Sequence, residues 1–573
     1  MIRRLLIANR GEIAIRIIHA CRELKIESVA VYSKADAHAL HVRAADHAVA
    51  IGGVAAVESY LSISNIVDAA RSSQADAIHP GYGFLSENAA FARACLAAGV
   101  VFVGPPADAI ERMGSKIEAR KLAVEARVPV VPGETPANQS DEGIVAAIER
   151  VGYPVLVKAS AGGGGKGMRT VRTSNEATGS IQAARREATA AFGDGTLYVE
   201  RLIDRPHHVE VQVFADGHGR VIHLFERECS VQRRHQKVIE ESPSPILTRA
   251  LRDRMTRAAI AVARAAAYRN AGTVEFLVDG EEFFFLEMNT RLQVEHPVTE
   301  GVTGLDLVRA QLLVASGEPL PWTDADILQR GHSIEARVYA EDPAHGFLPQ
   351  AGRVTEYRAP NLPGLRVDSG IAEGGDVTVY YDPMMAKVIA TAESRELAIN
   401  RLVAGLRGFQ IGGVRTNIAF LLRVLTSDAF RRGAIDTGYL DREGAQLVES
   451  LDDVASPTVP AVRVASPAGR GAAAAFDPWN GVAARAPATR STPRRRKRDG
   501  SDGHQLLTAP MPATVLKIEV STGAPVRKGD VVVLLEAMKM ELPIRALADG
   551  IVAAVHCREG DLVQADAPLV EMQ

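Results

Sequence analysis

The chain has little of what marks secreted, membrane-spanning or nucleic-acid-binding proteins. Its 573 residues include four cysteines, which lie far apart and match neither a metal-binding nor a disulfide-framework spacing. That usage fits a reducing cytosol. Charged residues make up 24% of the chain and leave a net charge of −3, so the charge balance favours neither nucleic acid nor a membrane surface as a partner.

Long apolar runs are also missing. No segment approaches the roughly 20 apolar residues that a membrane-spanning helix needs. The first residues, Met1–Ala8, resemble the start of a signal peptide, but Arg10, Glu12 and Arg16 interrupt the apolar run. We therefore expect a cytoplasmic protein. Its length is too great for a single core and predicts three or four domains.

The N-terminal region alternates strand-like and helix-like patterns. Strands are predicted at Leu5–Ala8, Ser28–Tyr32, Ala77–Ile78 and Val100–Val103, and a helix at Glu12–Glu23. This alternation is typical of a doubly wound α/β domain. The loop His79–Asn88 is too rich in Gly and Pro to be regular, and we expect it to carry function.

A glycine-rich loop follows in the middle region. Residues Gly162–Gly167 lie between the apolar strand Tyr153–Lys158 and the strand-like Met168–Val171. Consecutive glycines let main-chain N–H groups approach an anion closely, so the pattern predicts a hairpin flap over phosphates; a mobile linker is the alternative. It is not a P-loop, because Gly167 stands where that motif needs Ser or Thr and Ser160 replaces its first glycine.

Two acidic residues mark a predicted hairpin further along. A loop centred on Glu281 would place Glu275 opposite Glu287, and two facing carboxylates repel unless a cation lies between them. Asn289 would share the face of Glu287. Oxygen ligands of this kind suit Mg²⁺ or Mn²⁺ shared with the phosphates of a nucleotide.

The alternation of polar and apolar residues continues beyond this hairpin. It predicts one strand face that forms an active-site wall, made of Glu287, Asn289, Arg291, Gln293 and Glu295. A solvated strand face is the alternative. Composition alone leaves two other stretches open: Ser230–Lys237 is a solvated basic loop or a site for anionic substrates, and Arg337 lies in a strand where an ordinary ion pair is the simplest interpretation.

The third region mixes strands and helices. Strands are predicted at Ser333–Val338, Val377–Tyr380 and Ala386–Ala390, and helices at Arg395–Leu406 and Ile418–Thr426.

From about Ala455 to Gly503 the composition shifts to Pro, Ala, Gly and Arg, and includes the basic run Arg494–Arg498. We interpret this segment as a solvated, self-repelling linker, with a nucleic-acid or partner patch as the alternative. About 50 flexible residues at about 5–6 Å × √n have a typical reach of about 40 Å, which suits a tether.

The chain ends in two similar half-repeats. Matching positions recur at a constant offset, in the pairs Thr514 and Ile551, Gly523 and Gly560, Val526 and Val563, and Val533 and Val570. Each half predicts short strands and turns, and the two halves predict a small flattened barrel with a pseudo-twofold axis. The junction Glu536–Met540 is predicted to be a hairpin that displays Lys539 between two methionines; a surface lysine at a turn is the alternative.

Several long motifs identify the family that the chain resembles. Met288–Glu300 is similar to the signature of biotin carboxylases, which belong to the ATP-grasp superfamily. Asn9–Ala14, His79–Asn88 and His332–Asp342 match other stretches of that family. The Met538–Met540 display of Lys539 resembles the biotin-accepting site of biotinyl carrier domains. Together these features resemble the biotin-containing α-subunit of bacterial acyl-CoA carboxylases.

The resemblance covers about residues 1–448 and 507–572, and it implies the fold and the domain order. The expected fold is α/β, with a doubly wound N-terminal domain at 1–113, an ATP-grasp domain at 114–325 with a flap at about 130–204, an α+β C-terminal domain at 326–448, a flexible linker at 449–505, and a small all-β biotinyl/lipoyl-type flattened barrel at 506–573.

The resemblance also implies roles for the matching residues. Those expected to hold the nucleotide are Lys116 and Lys158 at the phosphates, the flap residues Gly162, Gly163, Gly164, Gly165, Lys166 and Gly167, the hinge backbone at Glu200 and Leu202, and His208, Gln232 and His235. Those expected to gather about two Mg²⁺ or Mn²⁺ ions are Glu275, Glu287 and Asn289. Those expected at the reaction centre are Lys237, Arg291, Gln293 and the main chain of Val294 around bicarbonate, Glu295 as the general base, and Arg337 facing the ureido oxygen of biotin. Biotin would be attached to Lys539.

The implied reaction begins when Glu295 removes the bicarbonate proton and the dianion attacks the γ-phosphate of ATP. Carboxyphosphate then breaks into CO₂ and phosphate, the phosphate deprotonates biotin N1′, and Arg337 stabilises the resulting oxygen charge. Flap closure keeps water out. No stretch resembles a carboxyltransferase, so the resemblance implies a separate carboxyltransferase (β) subunit. It also implies biotin protein ligase as a partner and a homo-oligomer within a larger hetero-oligomer, with no nucleic acid or membrane.

Three alternatives remain beside this interpretation. A split keto-acid (pyruvate) carboxylase would use the same half-reaction, a non-catalytic scaffold would only present biotin, and another ATP-grasp ligase would leave Lys539 unexplained. The chain also departs from its family: Ala513 replaces the glycine of the usual Met-Pro-Gly entry to the carrier, and Ala524 replaces a common Asp. We expect small effects on stability from both. The linker is too short for the docking domain of some longer α-subunits.

Overall fold

A computed structural model describes residues 1–160, 167–323, 325–449, 505–537 and 540–573. The site residues Gly162, Gly163, Gly164, Gly165, Lys166 and Lys539, and nearly all of the predicted linker, lie outside the described residues. The chain divides into two compact units, one that spans residues 1–449 and one that makes up most of 505–573. No helix in the described parts of the chain is both long and apolar enough to cross a membrane.

The N-terminal region forms a parallel sheet flanked by helices. Its elements are β1 (Arg4–Ile7), α1 (Gly11–Leu24), β2 (Glu27–Tyr32), α2 (Leu40–Ala44), β3 (His47–Ala50), α3 (Ile63–Ser72), β4 (Ala77–His79), α4 (Ala89–Ala97), β5 (Val101–Phe102) and α5 (Ala107–Gly114). The strand order is β3-β2-β1-β4-β5. Leu5 and Ile7 pack in the core that contains α1, whereas Leu6 packs in the core that contains α3 and α4. Since both faces of β1 are covered, the predicted doubly wound domain is confirmed.

The central region contains a small sheet and most of a large one. Its elements are α6 (Lys116–Glu125), β6 (Gly133–Glu134), α7 (Asp141–Val151), β7 (Val155–Ala159), β8 (Met168–Val171), α8 (Ser174–Phe192), β9 (Leu197–Arg201), β10 (His207–Ala215), β11 (Val221–Arg233), β12 (Gln236–Ser242), α9 (Arg249–Ala265), β13 (Asn270–Asp279), β14 (Glu282–Asn289), α10 (His296–Thr303) and α11 (Leu307–Ala315). The small sheet has the order β6-β9-β7-β8. Lys158 lies opposite Met168 in the antiparallel pair of β7 and β8, which confirms the strands of the predicted flap hairpin.

The third region extends the large sheet. Its elements are β15 (His332–Tyr339), β16 (Glu341–Asp342), β17 (Leu348–Pro349), β18 (Gly352–Arg353), β19 (Glu356–Arg358), β20 (Leu365–Ser369), β21 (Asp376–Val377), β22 (Met384–Ala392), α12 (Arg395–Gly408), β23 (Gln410–Gly412), α13 (Ile418–Thr426), α14 (Asp428–Arg431) and α15 (Tyr439–Glu449). The large sheet has the order β14-β13-β10-β11-β12-β15-β22-β20. The central and third regions therefore share one sheet, joined where β12 pairs with β15.

One strand prediction in the third region is wrong. The sequence predicts a strand over Val377–Tyr380, but only Asp376–Val377 pairs with a neighbouring strand, and a turn follows. The hydroxyl of Tyr381 donates a hydrogen bond to Oγ of Ser33, at 2.6 Å. This tertiary contact draws the chain away from the sheet and outweighs local β-propensity.

The C-terminal unit is a small barrel of two four-stranded sheets. Its elements are β24 (Gln505–Thr508), β25 (Ala513–Ile518), β26 (Pro525–Val526), β27 (Val531–Ala537), β28 (Met540–Arg545), β29 (Gly550–Val555), β30 (Leu562–Val563) and β31 (Pro568–Met572). In one half β25 pairs with β27, and in the other β29 pairs with β31. The short strands exchange, because β26 pairs with β29 and β30 with β25. This reciprocal pairing confirms the flattened barrel predicted from the half-repeats.

The N-terminal sheet offers a direct test of the packing. Leu6→Ala should lower the free energy of unfolding by about 2–5 kcal/mol, because it empties a fully buried site. Leu61→Ala is the matched control, since that side chain is 40% exposed and should change stability little. Urea unfolding of both variants gives the comparison, and equal losses would contradict the assigned core.

Candidate active site

A cavity of about 610 Å³ lies between the small and the large sheet. The predicted site residues that line it are Lys116, Lys158, Glu200, Leu202, His208, Gln232, His235, Lys237, Glu275, Glu287, Asn289, Arg291, Gln293, Val294 and Arg337. Glu295 is fully buried and contacts two of these lining residues, Lys237 and Arg337. The fold thus brings together side chains that are more than 200 positions apart in the sequence.

Two lysines form the basic end of the cavity. Lys158, on β7, lies 2.5 Å from Oε2 of Glu200, and Arg120 binds the other oxygen of that carboxylate at 3.0 Å. Burial lowers the pKa of Lys116, although the nearby Glu287 carboxylate opposes the shift. Glu200 was predicted to act through its backbone, but its side chain has a clear role of its own, because it fixes the ammonium of Lys158.

The hinge between the sheets differs from the prediction at one residue. The N–H of Leu202 donates to the carbonyl of Pro154 at 3.0 Å, so this amide is not available to a nucleotide base. Ile203 follows it and lines the same cavity. The sequence interpretation did not include Ile203, because nothing in its side chain marks a backbone contact.

Gly167 ends the flap loop and does not line the cavity. It has a φ of +70°, and a Cβ at this position would lie 2.9 Å from Cβ of Ala159. Only glycine combines this backbone conformation with such a close approach. The described part of the predicted flap glycines therefore serves the local fold.

Glu275 and Glu287 face each other, as predicted, but for a different reason. The hairpin turns at Gly280 and Glu281, a register that by itself would place Glu275 opposite Leu286. A β-bulge beside Glu275 shifts the pairing by one residue and puts Glu287 opposite it. Burial raises the pKa of Glu287, and the Glu275 charge adds to the shift. Two buried carboxylates with an amide oxygen nearby are a fitting oxygen set for Mg²⁺ or Mn²⁺.

Glu275 is surrounded by donors. Its Oε1 accepts hydrogen bonds from Asn289 (2.7 Å), Lys237 (2.9 Å) and Gln293 (3.0 Å), and Nε2 of His208 lies 2.9 Å from Oε2. Burial alone would raise the pKa of Glu275, but Lys237 and His208 outweigh it and lower the pKa. The carboxylate is therefore ionised throughout the physiological range.

Lys237 occupies the centre of the site. Its ammonium lies 2.5 Å from Glu210, 2.9 Å from Glu275 and 2.8 Å from Glu295. Buried ligand atoms of His208, Glu210 and Glu275, and of Glu210, Cys229 and Glu295, also lie within 4.8 Å of one another. Because the Lys237 ammonium already lies among these carboxylates, they are neutralised without a metal ion.

Glu295 lies between two cations. Its Oε1 is 2.8 Å from Nζ of Lys237, and its Oε2 is 3.0 Å from Nη2 of Arg337. Burial would raise the pKa of Glu295, but Lys237 and Arg337 outweigh it and hold the pKa well below its usual range. The side chain is thus an ionised carboxylate that is ready to accept a proton.

The predicted strand face beyond Asn289 is wrong. β14 ends at Asn289, and the chain is irregular up to the start of α10. Arg291 extends toward the N-terminal region, where Nε donates to Glu87 at 3.0 Å. As a result both Gln293 and Val294 line the cavity, which a regular strand would place on opposite faces. The loop His79–Asn88, predicted to carry function, supplies Glu87 to this contact.

Several buried charges around the site were missed by the sequence analysis. Glu210 and Arg227 are both fully buried and lie 2.5 Å apart, and Arg227 also donates to Thr299 at 3.0 Å. The alternation of His208, Glu210 and Gln212 along β10 is the signal that could have found Glu210. Arg227 has no such signal, since its partners come from distant segments.

A second carboxylate pair lies below Arg337. Glu240 on β12 is directly opposite Glu335 on β15, both side chains are fully buried, and Arg337 contacts Glu240. Burial raises the pKa of Glu240 to about 7. Burial also raises the pKa of Glu335 well above its usual range, although Lys387 opposes the shift. A proton held by this pair relieves the repulsion between the two carboxylates.

Family comparisons agree with this geometry. Residues 1–110 match the family described as biotin carboxylase, N-terminal domain, and residues 335–442 match biotin carboxylase C-terminal domain. Residues 115–323 match the ATP-binding domain of the carbamoyl-phosphate synthase L chain, and residues 505–572 match biotin-requiring enzyme.

Individual relatives extend the comparison. The chain is 51% identical over 441 residues to biotin carboxylase of Halalkalibacterium halodurans, which covers 77% of this chain and 97% of the relative. It is 48% identical over 473 residues to a pyruvate carboxylase subunit of Methanothermobacter thermautotrophicus, which covers 80% and 96%. It is 39% identical to the propionyl-CoA carboxylase alpha chain of Ruegeria pomeroyi over 681 aligned positions, which cover 100% of both chains.

A solved structure has the same fold. The biotin carboxylase domain of the Hydrogenobacter thermophilus 2-oxoglutarate carboxylase, in complex with MgADP, ADP and bicarbonate, superposes with a TM-score of 0.76 at 43% identity. The match covers 78% of this chain and 99% of that one.

The fold and the site thus define an ATP-grasp ligase joined to a biotin-type carrier. The chain belongs to the biotin carboxylase family, and it catalyses the ATP-dependent carboxylation of biotin by bicarbonate. The predicted fold class and this half-reaction are confirmed.

The Glu240–Glu335 pair generates a prediction about pH. An unfolded Glu has a pKa of 4.5, and the folded pKa of Glu335 is higher, so the protein loses stability as the pH rises above 4.5 because folding must take up a proton. Glu335→Gln removes that proton uptake. Thermal unfolding should therefore show the variant gaining on the natural protein between pH 5 and pH 8.

Glu341→Gln is the matched control for this experiment. Glu341 is also buried, but it binds Arg233 through two hydrogen bonds of 2.8 and 2.9 Å, so its amide variant should be destabilised at both pH values. A pH-independent loss in Glu335→Gln would contradict the protonated pair.

Proposed function

We propose that this chain is the biotin-carrying α-subunit of an acyl-CoA carboxylase, and that it passes the carboxyl group to a separate carboxyltransferase. The observation that carries the acyl-CoA assignment is the end-to-end alignment with the propionyl-CoA carboxylase alpha chain, which includes the carrier. The alignment with the Methanothermobacter pyruvate carboxylase subunit covers 80% of this chain, an extent close to that of the carboxylase regions. A second candidate, the equivalent part of a split keto-acid carboxylase, rests on that relative.

The roles of the individual residues follow from their positions in the cavity. Lys116 and Lys158 neutralise the nucleotide phosphates, and Glu200 keeps Lys158 in place. His208 and Gln232, whose side chains lie 2.7 Å apart, bound the nucleotide side of the cavity together with His235. Glu275, Glu287 and Asn289 hold the divalent cations, which neutralise phosphate charge when bound.

The charges around Glu295 suit it to remove the proton of bicarbonate. Lys237 and Arg337 hold the pKa of Glu295 low because both bind its carboxylate. Bicarbonate is an anion that draws on the same cations when it binds beside Gln293 and Val294, so the pKa of Glu295 rises toward that of an effective general base. Once Glu295 is protonated, its hold on Arg337 weakens, and the guanidinium is free to bind another oxygen anion.

A smaller cavity of about 230 Å³ is the place we assign to the ureido ring of biotin. Tyr82, Arg291, Val294 and Arg337 are among its lining residues, and the last three also line the larger cavity. Biotin supplies the ureido nitrogen that accepts the carboxyl group. Arg337 is placed to stabilise the negative charge that develops on the ureido oxygen.

The acceptor is identified by labelling. The complex is captured through its biotin and supplied with ATP and labelled bicarbonate, and acetyl-CoA, propionyl-CoA, a longer acyl-CoA and pyruvate are offered separately. We expect label in a CoA thioester, which would also name the substrate. Label in pyruvate alone would contradict the acyl-CoA assignment and transfer the chain to the keto-acid carboxylases.

Glu295→Gln tests the general base. The variant should bind ATP normally but lose about 10²–10⁴-fold of its bicarbonate-dependent phosphate release, because the amide cannot accept the proton. Glu282→Gln, an exposed change at the start of β14, is the control and should behave like the natural protein. Turnover of Glu295→Gln near the control value would remove Glu295 from this role.

Lys539→Arg tests the attachment site. The change keeps the positive charge but removes the amine that forms an amide with biotin, so detection with streptavidin should be abolished. Lys517→Arg, at an exposed lysine of the same barrel, should leave the signal unchanged. A biotin signal that persists in Lys539→Arg would refute the assignment.

A further inference from the structure

The irregular segment before α10 presents Val294 to both cavities. Two successive backbone carbonyls in this segment, those of Gln293 and Val294, accept hydrogen bonds from side chains that are themselves fully buried. Neither donor lines either of these two cavities. Each therefore acts on the site through the backbone.

His296 holds the first carbonyl. Its Nδ1 lies 2.8 Å from the carbonyl oxygen of Gln293, and because a carbonyl can only accept, Nδ1 carries the hydrogen. Burial, with Lys387 and Arg16 nearby, keeps the pKa of His296 well below its usual range. The ring is therefore a neutral donor with a single tautomer.

Lys387 holds the second carbonyl. Its Nζ donates to the carbonyl of Val294 at 2.7 Å and lies 3.2 Å from Glu12 and 3.9 Å from Asp368. A fully buried ammonium is costly unless it is paired, and these two carboxylates from other segments supply the pairing. Three parts of the chain meet here, because Glu12 belongs to α1, Val294 to the central region and Lys387 to β22.

The geometry of the peptide bond links these contacts to the site. In a trans peptide the N–H points away from the C=O of the same plane. When His296 draws the Gln293 carbonyl into the protein, the N–H of Val294 in the same plane turns the opposite way. Lys387 fixes the next plane, from which the Glu295 side chain departs.

We propose that His296 and Lys387 are positioning residues that hold the two peptide planes around Val294 and so aim its N–H, and the carboxylate of Glu295, at bicarbonate. This inference rests on the proposed function, since it requires bicarbonate to bind beside Val294. It adds two residues that never touch the substrate but set the geometry of those that do.

The test is a matched pair of His296 variants in the full-length biotinylated chain. His296→Asn places an amide N–H near the position of Nδ1 and should retain the bond to Gln293, whereas His296→Leu cannot form it. We expect His296→Leu to raise KM for bicarbonate about tenfold or more, the size of one lost hydrogen bond to an aligned group, with KM for ATP within about twofold. His296→Asn should recover most of this loss.

Lys387 is tested without leaving a buried charge unpaired. The double variant Glu12→Gln/Lys387→Met removes the hydrogen bond to Val294 together with the charge of its partner, and it should also raise KM for bicarbonate selectively. Equal impairment of His296→Asn and His296→Leu, or an unchanged KM for bicarbonate in His296→Leu and in the double variant, would overturn the proposal. ATP cleavage by the natural protein that ignores bicarbonate would instead overturn the proposed function, and this inference with it.

Discussion

The active site depends on one buried ammonium group. Lys237 neutralises Glu210, Glu275 and Glu295 at once, and without it three carboxylates would share a region of low dielectric. Such a cluster would take up protons, and Glu295 could not then act as a base. The ionised state of the site is therefore a consequence of how the strands bring one lysine and three glutamates together.

The large sheet makes this arrangement possible. β10, β12 and β13 carry Glu210, Lys237 and Glu275, and β15 adds Arg337 from the third region. The N-terminal region contributes from outside the sheet, through the contacts of Glu87 with Arg291 and of Glu12 with Lys387. Among the described residues the site is thus divided over all three regions of the carboxylase, which explains why the functional residues are scattered along the sequence.

The sequence predicted the architecture well and the site in part. Alternating patterns and half-repeats were enough for the parallel N-terminal sheet, the flap strands and the terminal barrel, because each rests on local periodicity. The facing of Glu275 and Glu287 was predicted from the wrong turn and depends on a β-bulge that no local pattern announces. Arg227 and Lys387 were missed because their value lies in partners from remote segments. The hinge at Leu202 was misplaced because the backbone hydrogen bonds that decide it leave no trace in side-chain chemistry.

The central claim is that one chain both activates bicarbonate and carries the biotin that receives the carboxyl group. The most direct measurement supplies the purified biotinylated chain, alone, with ATP and labelled bicarbonate, and follows the label into the peptide that contains Lys539 after trapping at alkaline pH. The account predicts ATP-dependent label on that peptide without any acyl-CoA or partner protein. Bicarbonate-dependent ATP cleavage that leaves the peptide unlabelled would contradict it.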